Sequence, residues 1–351
     1  MLPATFIQMI YVVGNTIPPK EKDMNTDNKT DDSPSNETLN QFRSLQLVRY
    51  GGADAIQVAS VEAPKGPADG QVLVRVHAAG VNGLDWKIRE GYVREVFPLE
   101  LPATLGLEIA GVVLSVGGGV DRFKAGDRVM GWLGAIGGYA DQVVASADNL
   151  GRIPDGMGFV AAAGLPTVVQ AASQSLQAAG PIGEGSRVLI HGAAGAVGAF
   201  AVQFARQAGA TVVASARGEY SDYVRELGAS EVIDYKTERF EDRARNIDLV
   251  LDLVGGETLD RSWSVLSPNG TIISTAAPDV AAKAPAGKKG IFLMTKADPA
   301  QVEKTARDIV EGRVSQKIES VVSLEEAPQA IERNRTQPHL GKTVVALVPA
   351  E

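Results

Sequence analysis

The sequence predicts an α/β protein in two parts, a curled all-β unit followed by a doubly wound parallel sheet. Three observations predict it. From Ser44 onward short pieces alternate apolar and polar residues between glycines, after Pro166 the pattern becomes strand, helix, strand, and after Glu311 β character returns. A chain of 351 residues, 44% of them hydrophobic, is large enough to bury two cores.

The alternating pieces are Leu45 to Val48, Gln71 to His77, Ile109 to Val116 and Asp127 to Gly131. A period of two marks strands with one buried face. Arg187 to His191 then reads as an apolar strand, Ala196 to Ala208 as a small-residue helix and Thr211 to Ala216 as the next strand, which is a βαβ unit. Further strands read at Glu231 to Tyr235, Ile247 to Val254 and Thr271 to Thr275, with helical stretches between them as a parallel sheet requires. After a helix from Asp298 to Glu311, the strands around Ile318 to Val322 and Lys342 to Val348 have no sheet of their own. They are expected to complete the N-terminal β unit, so that 44–164 and 313–351 form one domain and 165–312 the other.

Residues 1–43 are expected to be a disordered tail, because Lys20 to Asn40 consists largely of Asp, Asn, Ser, Thr, Pro and Lys and buries too little apolar surface to order itself. The apolar run Phe6 to Val13 is far shorter than the roughly 20 residues a membrane span needs. No Lys or Arg precedes Lys20, so the basic flank of a secretory leader and the Arg-rich face of a presequence are both missing. With no cysteine there is neither a disulfide nor a thiolate metal ligand. The expected location is the cytoplasm. A net charge of -8, made of interspersed acids and bases, argues against nucleic acid or an anionic membrane as partner and leaves a small-molecule ligand.

Chemistry enters at Val188 to Gly198, where an apolar strand feeds the turn Gly192-Ala193-Ala194-Gly195-Ala196-Val197-Gly198 and opens a helix. A pyrophosphate needs close backbone approach and free N–H groups at a helix N-terminus, which Gly and Ala allow. Gly192, Ala194, Gly195, Ala196, Val197 and Gly198 are therefore candidate cofactor-binding residues of a Rossmann sheet, although Ala193 replaces the first glycine of the usual fingerprint. The plainer alternative is a turn that only packs a helix on a sheet. At the end of the second strand an NAD site would carry an acid, whereas this chain reads Ser215-Ala216-Arg217. Ser215 and Arg217 suit a 2′-phosphate, which points to NADPH; a merely solvated arginine is the alternative.

These residues, taken with Gly80 to Asp85, Gly106 to Gly111, Val116-Gly117, Phe123 to Val129, Leu227 to Ala229, Val232 to Tyr235 and Asp252 to Gly256, give the chain a family likeness from about Ser44 to Val348. It resembles the zinc-independent quinone oxidoreductase, or zeta-crystallin-like, branch of the medium-chain dehydrogenase/reductase superfamily. The resemblance implies a GroES-like catalytic domain beside the Rossmann domain, and a homodimer paired through the sheet edge near Gly290 to Thr295. In the zinc-dependent members, a Cys stands where this chain has Asn82 and a Gly-His-Glu triplet where it has Gly106-Leu107-Glu108. Neither replacement binds metal, and His77, His191 and His339 are not at ligand spacing, so no metal is expected.

Without a Lewis acid, reduction of a quinone or α,β-unsaturated carbonyl is the consistent reaction, since its oxygen is already polarised. The resemblance places substrate-facing polar groups between Asn82 and Tyr92, which makes Asn82, Lys87 and Tyr92 the candidate catalytic residues, with Arg89 a further possible donor. A solvated helix face with a structural Asn82-Asp85 pair is the alternative. Tyr235 is a candidate for the adenine or the 2′-phosphate, or an ordinary strand aromatic. Ala171 replaces a threonine that the family keeps beside the nicotinamide, a contact that Thr167 can take over. Two further readings stay open. One is an enoyl-thioester reductase, which would want a basic rim such as Lys283, Lys288, Lys289 and Lys296 supply; the other is a non-catalytic, crystallin-like dinucleotide-binding protein.

Overall fold

The structure is a computed structural model and describes residues 41–348. Residues 1–40 of the expected tail lie outside the described residues. Its expected end at 43 is corrected, because β1 (Gln41–Leu47) pairs antiparallel with β2 (Ile56–Glu62) from Gln41 opposite Glu62 onward. The ladder with β2 supplies backbone partners that the polar start of this strand does not announce.

β3 (Gln71–Gly80), α1 (Gly83–Arg89), β4 (Ala103–Thr104), β5 (Glu108–Val116), β6 (Arg128–Trp132), β7 (Gln142–Ser146) and β8 (Leu150–Arg152) follow. β4 completes a sheet of order β2-β1-β4. β3 is central to a second sheet. Its first half alternates, with Val72, Val74 and Val76 buried and Arg75 exposed, while Ala78, Ala79 and Gly80 are all buried. Register shifts at Leu73/Val74 and Val76/Ala78 bend it. Residues 71–75 therefore pair with β7, and residues 78–80 are left for the end of the chain.

After α2 (Phe159–Ala163) and α3 (Pro166–Ala178) the pattern is β9 (Arg187–His191), α4 (Ala196–Gln207), β10 (Thr211–Ala216), α5 (Ser221–Glu226), β11 (Glu231–Asp234), α6 (Phe240–Arg243), β12 (Ile247–Asp252), α7 (Gly256–Ser262), β13 (Leu266–Ser274) and β14 (Lys289–Phe292). These strands form one sheet of order β11-β10-β9-β12-β13-β14 with every ladder parallel. Val188, Leu189 and Ile190 are fully buried, each such side chain contributing roughly 1.5–3 kcal/mol. Chain order reverses between β9 and β12, the switch point beyond whose strand ends α/β sheets hold their ligands.

The chain ends with α8 (Pro299–Val310), β15 (Ile318–Ser323), α9 (Ala327–Thr336) and β16 (Lys342–Ala346). β16 runs antiparallel to β3, Val344 opposite Gly80, and β15 lies parallel to β16. The second sheet thus has the order β15-β16-β3-β5-β6-β8, with β7 also on β3. β12 stops at Asp252 rather than Val254, because the Asp252 carboxylate accepts the N–H groups of Val254 at 3.1 Å and Gly255 at 2.8 Å and turns the chain.

Candidate active site

The glycine turn lies at the C-terminal end of β9, at the switch point. Gly192 has φ +74°, which favours glycine. A Cβ on Gly198 would lie 2.3 Å from the Gly192 carbonyl oxygen and 2.7 Å from Ala193 Cα, so helix and turn touch there without room for a side chain. Gly195 caps α4 and brings no side-chain acceptor to the N–H groups of the first turn. Gly192, Gly195, Ala196 and Val197 are half-buried and line the turn's open side; Ala194 and Gly198 are buried beneath it, and the Ala194 carbonyl accepts the Gly341 N–H at 3.1 Å. A diphosphate fits this cradle, with free amides at a helix N-terminus and backbone rather than side chain facing it.

The strand ends beside the turn correct one expectation. Ser215 is 4% exposed and sits opposite His191 in the ladder, its hydroxyl 2.8 Å from His191 Nδ1. It faces the interior and offers nothing to a ligand. Ser262 donates to the Thr258 carbonyl at 2.6 Å, so it must accept from His191 Nε2 at 3.0 Å, which leaves Nδ1 to accept from Ser215. His191 is a satisfied neutral histidine, and burial lowers its pKa to about 4. Arg217 and Tyr235, by contrast, are brought together: Arg217 Nε donates to Tyr235 Oη at 3.2 Å, and both side chains reach solvent. Lys236, which sequence reasoning missed, lies over the Tyr235 ring at 5.7 Å. The nearby acid, Asp234, accepts from Lys236 N and Thr237 Oγ1, so it serves its own turn.

On the other side stands α1. Asn82 caps it, with its N–H donated to Asp85 Oδ2 at 2.7 Å, and the same oxygen accepts from Tyr139 Oη at 2.8 Å. Burial raises the Asp85 pKa to about 7 and that of Tyr139 well above its usual value. Asn82 Nδ2 donates to the Gly80 carbonyl at 3.1 Å and Glu108 Oε1 at 2.8 Å, and Oδ1 accepts from Lys342 Nζ at 2.6 Å. The expectation that Asn82 is a catalytic residue is corrected, since both its amide hydrogens are committed within the protein. Lys342 Nζ also lies 2.7 Å from Glu108 Oε1, with the two side chains 3% and 0% exposed. Lys342 was not singled out in the sequence; its one signal was a lysine beside glycine at the head of an apolar strand.

Lys87 is half-buried over the Trp86 ring at 5.6 Å, and desolvation lowers its pKa. Tyr92 is 73% exposed and meets Trp86 edge-on at 5.9 Å. Lys87, Trp86 and Tyr92 thus form one polar and aromatic rim. Arg89 is no donor to substrate: it is fully buried and ion-paired at 2.7 Å with both Glu90 and Glu332. At the head of α3, Thr167 N donates to Glu108 Oε2 at 2.7 Å, and its buried hydroxyl has no protein partner. Ala171 is buried in the same helix.

Two family models match the chain, an alcohol dehydrogenase GroES-like domain over residues 68–155 and a zinc-binding dehydrogenase over residues 227–345. Leu107 and the Lys342-bound Asn82 offer no zinc ligand, and among the described residues no group of three His, Asp or Glu side chains is placed to hold a metal ion. The chain is 34% identical over 237 residues to the quinone oxidoreductase of Sus scrofa, spanning 66% of this chain and 71% of that one. It is 31% identical over 325 residues to the chloroplast envelope quinone oxidoreductase homolog of Arabidopsis thaliana, spanning 87% and 98% respectively. The solved quinone oxidoreductase from Coxiella burnetii matches with a TM-score of 0.83 at 30% identity, over 88% of this chain and 100% of that one. The chain belongs to the zinc-independent quinone oxidoreductase branch of the medium-chain dehydrogenase/reductase superfamily.

Proposed function

We propose that the protein reduces a quinone or a small α,β-unsaturated carbonyl compound with NADPH, without zinc, as a cytosolic homodimer. The observation that carries the reading is the Arg217–Tyr235 pair, at 3.2 Å, beside a glycine turn whose neighbouring strand end bears no acid. A guanidinium held in place by a phenol suits a 2′-phosphate and gives nothing special to a ribose hydroxyl. In this reading residues 165–312 bind the dinucleotide, and residues 44–164 with 313–351, extended back to Gln41, form the catalytic unit. Gly192, Gly195, Ala196 and Val197 face the pyrophosphate while Ala194 and Gly198 support the turn. Thr167 offers its unpartnered hydroxyl to the nicotinamide amide.

The bound dinucleotide supplies the hydride. Among the described residues no set of three His, Asp or Glu side chains is placed to hold a metal ion, which suits a substrate that brings its own polarised oxygen, as a conjugated enone or a quinone does. Lys87 and Tyr92 donate hydrogen bonds to the oxygen on which charge develops, and Trp86 offers a flat apolar wall. Asn82 positions the head of α1 rather than touching substrate. A large acyl-carrier partner is less suited, because Lys283 is ion-paired with Asp260 and Asp279 and Lys288 donates to the Ser267 carbonyl. β14 is the sheet edge through which two copies would pair.

Substitution Arg217→Ala tests the cofactor assignment. Loss of charged hydrogen bonds of about 1.5–3 kcal/mol should weaken NADPH binding about 10-fold to 100-fold and leave NADH unchanged. Equal losses for both dinucleotides, measured by titration calorimetry, would contradict it.

A further inference from the structure

We infer that Lys342 is a positioning residue that couples dinucleotide binding at the glycine turn to the substrate-facing segment α1; this rests on the functional reading above. Lys342 and Glu108 are, among the described residues, the one ion pair in which both side chains are less than a tenth exposed. The pair joins pieces of chain that are remote in sequence. Lys342 Nζ reaches Asn82 Oδ1 at 2.6 Å, 260 residues away, and Asn82 caps α1. Glu108 accepts from Asn82 Nδ2 through Oε1 and from Thr167 N through Oε2, which ties in the first turn of α3.

The neighbouring Gly341 supplies the other end. Its N–H is donated to the Ala194 carbonyl at 3.1 Å, and it forms a parallel bridge with Gly195, the residue that caps α4. Gly341 has φ +85°, and a Cβ there would lie 2.2 Å from the Lys317 carbonyl oxygen, so its backbone has little freedom. A Cβ on Gly80 would lie 2.3 Å from Glu108 Oε1 and 2.8 Å from Lys342 Cε, so the far end is tightly packed as well. Two consecutive residues therefore touch the phosphate cradle with one backbone amide and the α1 cap with one ammonium group. Whatever orders the turn orders the Gly341–Lys342 junction, and through it the head of the helix that carries Lys87. A ligand that has different contacts with the two arrangements shifts both ends together.

Amide hydrogen exchange on the full chain, with and without NADPH, tests this. In the wild-type protein NADPH should slow exchange in residues 192–200 and also, by about tenfold, in residues 83–92, a coupling of the usual size between linked sites. In Lys342→Met the slowing should persist at 192–200 and vanish at 83–92. Because that change strands Glu108 as a buried unpaired charge, the double variant K342M/E108Q, which removes both charges, is measured beside it and should behave in the same way. Unchanged slowing at 83–92 in a folded variant, or its absence in the wild type while residues 192–200 respond, overturns the coupling alone. Failure of NADPH to slow exchange anywhere in the wild type overturns the coupling and the cofactor assignment together.

Discussion

His191 lies fully buried between a sheet strand and α7; burial keeps it neutral there, and a serine partner of fixed role satisfies each ring nitrogen. Its folded pKa is about 4, against 6.5 in the unfolded chain. The stabilisation is therefore complete above pH 6.5 and is lost as pH falls toward 4, up to about 3 kcal/mol. Asp85 works in the opposite sense: its folded pKa is raised from 3.8 to about 7, so its stabilising share is present below pH 3.8 and lost as pH rises through 7. The two contributions have opposite slopes in nearly the same window, so urea unfolding between about pH 4 and 7 should show stability falling more with rising pH in His191→Asn, and rising more with pH in Asp85→Asn, than in the wild type. Curves parallel to the wild type would refute the assignment. The sequence put His191 at no ligand spacing and gave it no catalytic role, but it misread Ser215, because nothing local shows that this hydroxyl is claimed by a residue on the next strand.

Among the elements, the glycine turn is where sequence and structure agree most closely, since strand, small-residue turn and helix are adjacent in the chain and need no distant partner to be recognised. Its glycines are not equivalent. Gly198→Ala places a methyl 2.3 Å from a carbonyl oxygen, an overpacking that should cost about 1–3 kcal/mol and weaken dinucleotide binding. Gly195→Ala meets nothing closer than 3.4 Å and has φ −71°, so it should fold with little loss. Thermal melts of the two variants check this, and equal stability would show that the turn is looser than described. α9 was not legible, because its apolar stripe is only Ala327, Ala330 and Ile331 among charged residues, and it is the packing against α1, through Glu332 on Arg89, that holds it.

At the scale of the whole molecule, the parallel doubly wound sheet followed from the alternation of strands and helices, though not the order of its strands, and the return of the C-terminal strands to the N-terminal sheet followed from their having no sheet of their own. The centre of the candidate site was less legible. Asn82, Glu108 and Lys342 meet only because β3, β5 and β16 are neighbours in one sheet, and a pairing across 260 residues leaves no local pattern. The same meeting fits the chemistry proposed: the Lys342 ammonium group pairs with the Glu108 carboxylate at the buried centre, no group of three metal-ligating side chains is placed among the described residues, and reduction falls to substrates that carry their own polarised oxygen. The most direct test is NADPH oxidation, followed at its absorbance maximum with a metal chelator present, against 1,4-benzoquinone, 9,10-phenanthrenequinone, a 2-alkenal and crotonyl-CoA. Turnover of a quinone or the alkenal that the chelator leaves untouched is the expected result; turnover abolished by the chelator, or NADPH binding with none of the four reduced, would contradict a zinc-free reductase.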